Sequence, residues 1–357
     1  MKVVHNGKRW LGSFLLAIML ALGGTTTAQA VLVDLDGAGG GGAIDIGTLD
    51  WGPTSFAALN GGTASLNFLS SGGACPAGSC NFDVLTQAKL IGTLAPSGAI
   101  NTPTGIINNT FEITMVARFT ETVTGLAPVG GNLVATFATV PTTPMFLEIF
   151  FDSSPDAVDV SGSGFNDGRL ILKGTSIGAA DGIFAVTSTT PVALDQHAPT
   201  NDYTGQNTVT GTGSQDNLSI GGLTVDPTFF LQNLNFGILF ANISQGLPFI
   251  SVDPSDCYTP AASGLAVGSS TVGATACNTA HVNGLMSANV AGATGFVPNI
   301  GVVNGAFVGG GPDFIAQTDF NSPISAAVPE PSSMLLLGSG LVGLAVLLRK
   351  RIKAKQN

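Results

Sequence analysis

The chain has 357 residues with 12 basic and 22 acidic side chains, so its formal net charge is −10. Eight of the 12 Lys and Arg residues lie in the two terminal segments, 1–30 and 329–357. Residues 31–328 between them contain four Lys or Arg and 21 Asp or Glu, which gives a net charge near −17. So few cations exclude the basic surface that nucleic acids require and exclude electrostatic binding to anionic lipid headgroups.

The N-terminal residues have the three parts of a secretory signal. Three cations lie within the first nine residues, and an apolar run follows at 11–22. Ala28 and Ala30 then form the A-x-A pattern after which signal peptidase cuts. The apolar run is shorter than the roughly 20 residues of a spanning helix, which disfavours the alternative of a permanent N-terminal anchor. We therefore predict a signal helix and signal peptide over residues 1–30.

Between the two ends, short apolar-alternating segments are separated by Gly, Pro, Asn and Asp. In residues 111–123, Phe, Ile, Met and Ala alternate with Glu, Thr and Arg, which predicts a strand with one buried face. Further strands are predicted at 31–34, 132–140, 145–151, 169–173, 183–187, 207–210, 236–241 and 249–252. We find no stretch of 11 residues with a helical period and caps. Many short strands with turn signals predict an all-β ectodomain, either a sandwich or a jelly roll.

The ectodomain divides by composition into two regions. Residues 31–253 hold nearly all the predicted strands and are expected to form the β-sandwich. Residues 254–327 are rich in Gly, Ala, Ser and Thr and have weak periodicity. They are predicted to continue the ectodomain, as a looser subdomain or as a long excursion from the sandwich.

Four cysteines lie in the exported part of the chain: Cys75, Cys80, Cys257 and Cys277. An even number in a chain bound for an oxidising compartment predicts two disulfides. Proximity favours Cys75 with Cys80 and Cys257 with Cys277, although three pairings are open.

One connection between predicted strands is rich in aspartate. Asp152, Asp156, Asp159 and Asp167 fall within a Gly/Ser-rich stretch. Carboxylate oxygens on loops suit Ca²⁺, and extracellular calcium sites can be weak. Aspartate is also a common turn residue, so a cluster without a metal is the alternative. No other cofactor is indicated.

Catalytic motifs are sparse. Residues 174–178 match G-x-S-x-G with Ser176 as nucleophile, but no helical pattern follows, as a nucleophile elbow requires. Glu112 and Glu148 lie on predicted strands and could form a glycosidase pair, although solvated carboxylates are more common. Residues 31–328 hold one Trp and two Tyr, too few for the aromatic platforms on which sugars stack. We therefore predict no catalytic residues, and a secreted hydrolase is kept as an alternative.

The C-terminus has three consecutive parts. Pro329, Glu330 and Pro331 precede an uncharged apolar stretch at 332–348. Five cations follow within residues 349–357. Seventeen residues at about 1.5 Å each give roughly 25 Å, near the lower limit for a helix that spans a bilayer. The cations predict that the C-terminal end of this single transmembrane helix is cytoplasmic.

This tail resembles the PEP-CTERM sorting signal of Gram-negative bacteria, in which a Pro-Glu-Pro motif precedes a short helix and an Arg/Lys cluster. The resemblance assigns residues 328–357 to the sorting signal and implies processing by an exosortase, an integral membrane enzyme. Residues 151–168 and 311–321 are loosely similar to segments of PEP-CTERM ectodomains, the first to those of flocculation-associated members. Carriers of this signal belong to bacteria that also make exopolysaccharide.

Together, these features predict an exported, exosortase-sorted protein without enzymatic activity. It would pass through an inner-membrane-tethered intermediate, held by the C-terminal helix, to the cell surface or the extracellular matrix. The resemblance implies an association with exopolysaccharide, biofilm or floc formation. The alternatives are a secreted hydrolase and a Ca²⁺-dependent carbohydrate-binding module.

Overall fold

The computed structural model describes residues 30–38, 42–103, 105–129, 132–142, 145–158, 164–194, 206–244, 267–269, 298–327 and 339. The chain divides into two units. One is compact and runs over Ala30–Ser325; the other comprises Met1–Gln29 and Ala326–Asn357, of which residues 326, 327 and 339 are described.

The compact unit is built almost entirely of β-strands. The first group is β1 (Val31–Val33), β2 (Ile44–Ile46), β3 (Thr48–Trp51), β4 (Thr54–Leu59), β5 (Asn81–Leu94), β6 (Glu112–Val129), β7 (Asn132–Thr139), β8 (Phe146–Asp152) and β9 (Arg169–Gly174). The second group is β10 (Ser176–Ile177), β11 (Asp181–Ala193), β12 (Asn207–Gln215), β13 (Leu218–Gly221), β14 (Thr224–Val225), β15 (Leu234–Ser244), β16 (Val303–Asn304) and β17 (Phe314–Ala326). The described residues also form helix α1 (Gly61–Ser70) and a 3-10 turn at Pro76–Gly78.

The strands pair mainly antiparallel, and the path of pairings closes on itself. From β6 it runs through β7, β11, β12, β15 and β17 to β3, then to β5, which pairs with β6 again. β3 and β4 both lie between β17 and β5, as two halves of one strand interrupted at Gly52 and Pro53. Proline cannot donate to a sheet ladder, which explains an interruption at this point. β8, β9 and β14 extend the sheet outward from β6.

The interior of this ring is filled by aromatic side chains from five strands. Trp51, Phe119, Phe240 and Phe320 are each at most 1% exposed. Phe240 lies 5.0 Å from Phe320 and 5.6 Å from Phe56 between ring centroids, and Trp51 stacks on Phe320 at 6.1 Å. The indole N–H of Trp51 donates to Ser322 Oγ at 2.9 Å, so its polar atom is satisfied in the core.

The all-β prediction is confirmed at the level of fold class. The choice between a sandwich and a jelly roll stays a prediction. The pairings describe a 15-stranded sheet whose path closes on itself and a separate two-stranded sheet of β1 and β2. The predicted signal helix and transmembrane helix lie outside the described residues. Among the residues that the structure describes, no helix is both long and apolar enough to cross a membrane.

The prediction that residues 111–123 bury one face is wrong. Glu112 and Thr114 on the supposed solvent face are each 2% exposed, as buried as the apolar residues beside them. A second apolar cluster covers this face, formed by Val116, Phe146, Phe150, Phe165 and Leu170. This part of strand β6 therefore lies between two layers, and Glu112 and Thr114 form hydrogen bonds within the protein.

Helix α1 is a further difference from the sequence analysis, which found no helical pattern there. Its sequence begins with two glycines, no side chain caps its N-terminus and no acidic residue lies in its first turn. Tertiary contacts hold that end instead: the N–H groups of Gly62 and Thr63 donate to the carbonyl of Pro312, and the Asn60 N–H donates to Asp313 Oδ1 at 2.8 Å. A helix that depends on such distant partners leaves little signal in its own residues.

Candidate functional site

Three of the four predicted calcium ligands come together in the structure. Asp152 ends strand β8, and Asp156 and Asp167 lie in the connection that leads to β9. One carboxylate oxygen from each lies within 4.8 Å of the others. Asp159, the fourth predicted ligand, lies outside the described residues. The separation suits a shared cation, since Ca²⁺ takes oxygen ligands at about 2.3–2.6 Å.

The connection is held in place from its buried side. Phe165 is fully buried, and its carbonyl accepts a hydrogen bond from Thr114 Oγ1 at 2.8 Å. Glu112 Oε1 accepts the N–H groups of Asp156 and Ala157, each at 2.9 Å. These anchors fix the backbone on both sides of the cluster, so the aspartates are positioned by the fold.

Gly164 allows the two arms of the connection to approach each other. It has a φ of +77°, and a Cβ at this position would lie 2.5 Å from Asp156 Oδ1 and 2.7 Å from the backbone of Ala157. Only glycine adopts this conformation in so little space without strain. The close approach at Gly164 therefore helps to bring Asp167 near Asp156.

The electrostatics of the cluster favour a cation. Burial raises the pKa of Asp156, and the charge of Asp152 raises it further. Burial also raises the pKa of Asp167, with the charges of Asp156 and Asp152 adding to the effect. Asp167 Oδ1 is buried, and no described residue gives it a hydrogen bond. A divalent cation would offset this repulsion and supply the missing partner.

The predicted glycosidase pair is not assembled. In the register of β6 and β8, Glu112 lies opposite Asp152, while Glu148 lies opposite Val116. Both glutamates are buried rather than solvated, and Glu148 pairs with Lys173 at 3.3 Å. Their positions correct the expectation that they face each other or lie on a hydrated surface.

Ser176 does not lie on a nucleophile elbow. It belongs to the two-residue strand β10, is exposed and pairs with Gly221. Residues 178–180 lead into strand β11, so no helix N-terminus follows it within residues 177–194. The strained strand-to-helix turn that would raise the hydroxyl as a nucleophile is absent from this described stretch.

The remaining predicted residues have different outcomes. The structure joins Cys75 and Cys80 in a disulfide, with their Cα atoms 5.7 Å apart. Cys257 and Cys277 lie outside the described residues, as do the sorting motif at 329–331 and Ala28 of the signal cleavage pattern. Ala30 is half-buried at the start of the compact unit, where its carbonyl accepts a hydrogen bond from Gln232.

Glu121 is the residue that sequence reasoning missed. The sequence analysis assigned it no role, yet it is 2% exposed and accepts a hydrogen bond from Gln215 Nε2. Burial raises its pKa to about 8, with the hydrogen bond opposing the rise. The local sequence indicates its unusual position only by the three consecutive polar residues Thr120, Glu121 and Thr122, which interrupt the alternation of apolar and polar residues.

The C-terminal residues are the part of the chain that matches a known family. The model of the PEP-CTERM protein-sorting motif matches residues 327–351. The chain therefore carries a PEP-CTERM sorting motif at its C-terminal end. No curated protein and no solved structure matches the chain. The PEP-CTERM motif means that the protein is exported and is a substrate for exosortase sorting to the cell surface or beyond.

Proposed function

We propose that the protein is a non-enzymatic component of the cell surface or extracellular matrix, associated with exopolysaccharide in biofilm or floc formation. The observation that carries this proposal is the PEP-CTERM motif at 327–351, which routes the chain to exosortase. Carriers of such signals belong to bacteria that make exopolysaccharide. On its route, the protein would be held in the inner membrane by its C-terminal helix before release or surface display.

The physical character of the compact unit supports a matrix role. Most strands of the ring are paired on both sides, which limits the open edges through which β-proteins aggregate. Four Lys or Arg between residues 31 and 328 offer few sites to proteases that cut after cations. An acidic surface keeps such a protein soluble among neutral or cation-bridged polymers.

Intact mass spectrometry tests the sorting step. Protein recovered from the extracellular fraction is expected to begin at Val31 and to end between Pro329 and Ser332. The membrane fraction should contain a form that retains the basic tail. If every form in both fractions keeps residues 349–357, the tail is a plain anchor and the matrix proposal loses its basis.

A genetic comparison tests the matrix role itself. A strain that expresses Pro329→Ala/Pro331→Ala in place of the natural protein is expected to retain the protein in the membrane and to lose floc or biofilm mass to the same extent as a deletion strain. Ser325→Ala, a substitution just outside the motif, is the matched control. Unchanged exopolysaccharide retention in the deletion strain would contradict the proposed role.

The second candidate function is a Ca²⁺-dependent carbohydrate-binding module, favoured by the cluster of Asp152, Asp156 and Asp167. Calorimetry with CaCl₂ is expected to show one weak site that Asp156→Asn weakens at least tenfold. Asp216→Asn, at an exposed aspartate outside the cluster, is the control.

Because the pKa values of Asp156 and Asp167 are raised, protons compete with the cation, so the affinity for Ca²⁺ should fall as the pH is lowered from 7 to 4. If the natural protein and the Asp156→Asn variant give equal heats of calcium binding, this site is excluded.

A further inference from the structure

A cavity of about 110 Å³ lies between helix α1, strands of the ring and the connection that precedes β17. Most of its wall is apolar, and the aromatic side chains in it are Phe56, Phe82, Phe137, Phe184, Phe307 and Phe314. An apolar cavity of about 150 Å³ takes up benzene, so this cavity suits a group no larger than a single ring. None of the three aspartates of the calcium cluster lines it.

Two acidic side chains, Glu121 of β6 and Asp313, lie in the wall of the cavity. Both are bonded within the protein. Asp313 Oδ1 accepts the N–H of Asn60 at 2.8 Å, and Asp313 Oδ2 accepts the N–H of Asn299 at 2.7 Å. Glu121 accepts a hydrogen bond from the side-chain amide of Gln215. These carboxyl groups therefore hold the wall together and are already engaged before any ligand enters.

The uncharged polar side chains of the wall are Gln215, Ser65 and Ser214. The amide oxygen of Gln215 is buried within the wall, beyond the reach of a molecule in the cavity. The hydroxyl of Ser65 donates to the carbonyl of Gly61 at 2.9 Å. The surface that remains for a ligand is therefore mainly hydrocarbon, as in most small-molecule pockets.

The charges around the cavity favour an uncharged ligand. None of the described residues that line it is Lys, Arg or His, so an anion would meet no counter-ion there. The carboxylate of Asp313 adds negative charge to the wall. A cation would have to compete with the two backbone N–H groups that bond to this carboxylate. Transfer of a charged group from water into such a site is costly.

Exposed apolar side chains border the opening of the cavity. Leu66 of α1, Ile183 of β11 and Phe307 line it and are 47%, 44% and 44% exposed. Single exposed apolar residues are common on protein surfaces, but a group of them around one opening is typical of a binding site. The apolar surface thus continues from the interior of the cavity to its rim.

We propose that this cavity binds an uncharged hydrocarbon group of about one ring, held by apolar contact rather than by hydrogen bonds. The remainder of a larger molecule would lie against the exposed apolar side chains at the rim. This site is independent of the sorting and matrix roles, and its test does not rely on them.

The test compares three probes that share one carbon skeleton and differ in charge. Toluene, benzoate and benzylamine are titrated at pH 7 into the protein purified from its native cells, in detergent-free buffer, and binding is followed by NMR. Toluene is expected to bind saturably and at least tenfold more tightly than either ion, because both ions must give up their hydration without gaining a free partner.

A filled cavity assigns the binding to this place in the fold. Ala135→Leu, which adds volume to the wall, is expected to abolish toluene binding. Ala127→Leu, the same exchange at an exposed position of β6 outside the cavity, should leave it unchanged. Near-ultraviolet circular dichroism shows whether each variant is folded.

A charge at the rim tests the selectivity without altering the interior. Leu66 and Leu69 of α1 are both 47% exposed, but Leu66 lines the cavity and Leu69 does not. Leu66→Lys is expected to raise the affinity for benzoate about two- to fivefold, because its ammonium group supplies the missing counter-ion. Leu69→Lys should leave the affinity for benzoate as it is in the natural protein.

Three results would overturn the proposal. Absence of saturable toluene binding means that the cavity is not a ligand site. Binding of benzoate or benzylamine as tight as that of toluene means that the site does not select an uncharged group, and tighter binding of benzylamine would assign Asp313 as its partner. Unchanged toluene binding in a folded Ala135→Leu variant, or equal benzoate affinities in Leu66→Lys and Leu69→Lys, means that the probes bind elsewhere.

Discussion

Glu121 shows how far the surroundings of one residue can change its chemistry. Its carboxyl group is buried, and among the described residues it accepts a hydrogen bond from the neutral side-chain amide of Gln215. Ionisation there loses hydration without gaining a counter-ion, so burial raises its pKa to about 8. The folded protein therefore holds this proton up to about pH 8, whereas the unfolded chain releases it near the ordinary glutamate pKa of 4.5.

This proton makes the stability of the protein depend on pH. Between about pH 4.5 and about pH 8 the unfolded state binds fewer protons than the folded state, so the free energy of unfolding falls as the pH rises. The slope from this one group is at most about 1.4 kcal/mol per pH unit. We expect Glu121→Gln to remove that part of the slope, measured by urea unfolding at pH 5, 6, 7 and 8.

Asp216→Asn provides the control for this measurement, because it removes an exposed carboxyl group beside Gln215. Its unfolding free energy should follow that of the natural protein at each pH. A Glu121→Gln variant whose slope equals that of the natural protein would show that Glu121 ionises in the folded state as it does in the unfolded chain.

Helix α1 illustrates dependence on neighbours at the scale of an element. Glycine in a helix interior is usually about 1 kcal/mol less favourable than alanine. At Gly62, however, a Cβ would lie 2.5 Å from the carbonyl oxygen of Gly311 and 3.2 Å from that of Pro312. The helix can approach this backbone, and donate to it, only because the side chain is absent.

Gly62→Ala is therefore expected to destabilise the protein by about 1–3 kcal/mol despite the better helix propensity of alanine. Thermal unfolding followed by circular dichroism measures the change. Gly42→Ala is the matched control, because a Cβ there meets no atom within 4 Å and its φ is not in the left-handed region. Stabilisation by Gly62→Ala would mean that the helix and the 311–312 backbone separate easily.

Strand prediction succeeded or failed according to how many faces of a strand are buried. Residues 132–140 were predicted almost to the residue, since β7 covers Asn132–Thr139. β5 (Asn81–Leu94) was missed, because burial of both faces removes the alternation that identifies a strand. β17 was missed for a related reason: its polar residues Gln317, Thr318 and Ser322 are each at most 1% exposed, which composition cannot reveal.

At the scale of the whole molecule, closure of the ring depends on its last strand. β17 pairs with β4 through Phe314–Thr318 and with β3 through Asn321–Pro323, and it neighbours β15 on the other side. It ends at Ala326, three residues before Pro329 of the sorting motif. Cleavage near the motif would therefore leave every strand of the ring intact.

Truncation tests this arrangement. A chain that ends at residue 328 is expected to keep the unfolding midpoint of the extracellular form. A chain that ends at residue 313 should lose cooperative unfolding, because β15, β3 and β4 lose their partner and Phe320 leaves the aromatic core. Near-ultraviolet circular dichroism and thermal unfolding report both outcomes. Cooperative unfolding of the shorter chain would show that the ring does not need β17.

The sequence by itself determined the destination of this protein, its all-β class and the approximate position of its acidic cluster. These features depend on contiguous residues: a sorting motif is recognised as a linear segment, and turn residues and alternation are local. Only the tertiary structure decided which polar residues are buried, that the sheet closes on itself, and that Glu121 and Gln215 meet across 94 positions of the chain. Such contacts join distant strands, and burial depends on what the rest of the fold places against each face.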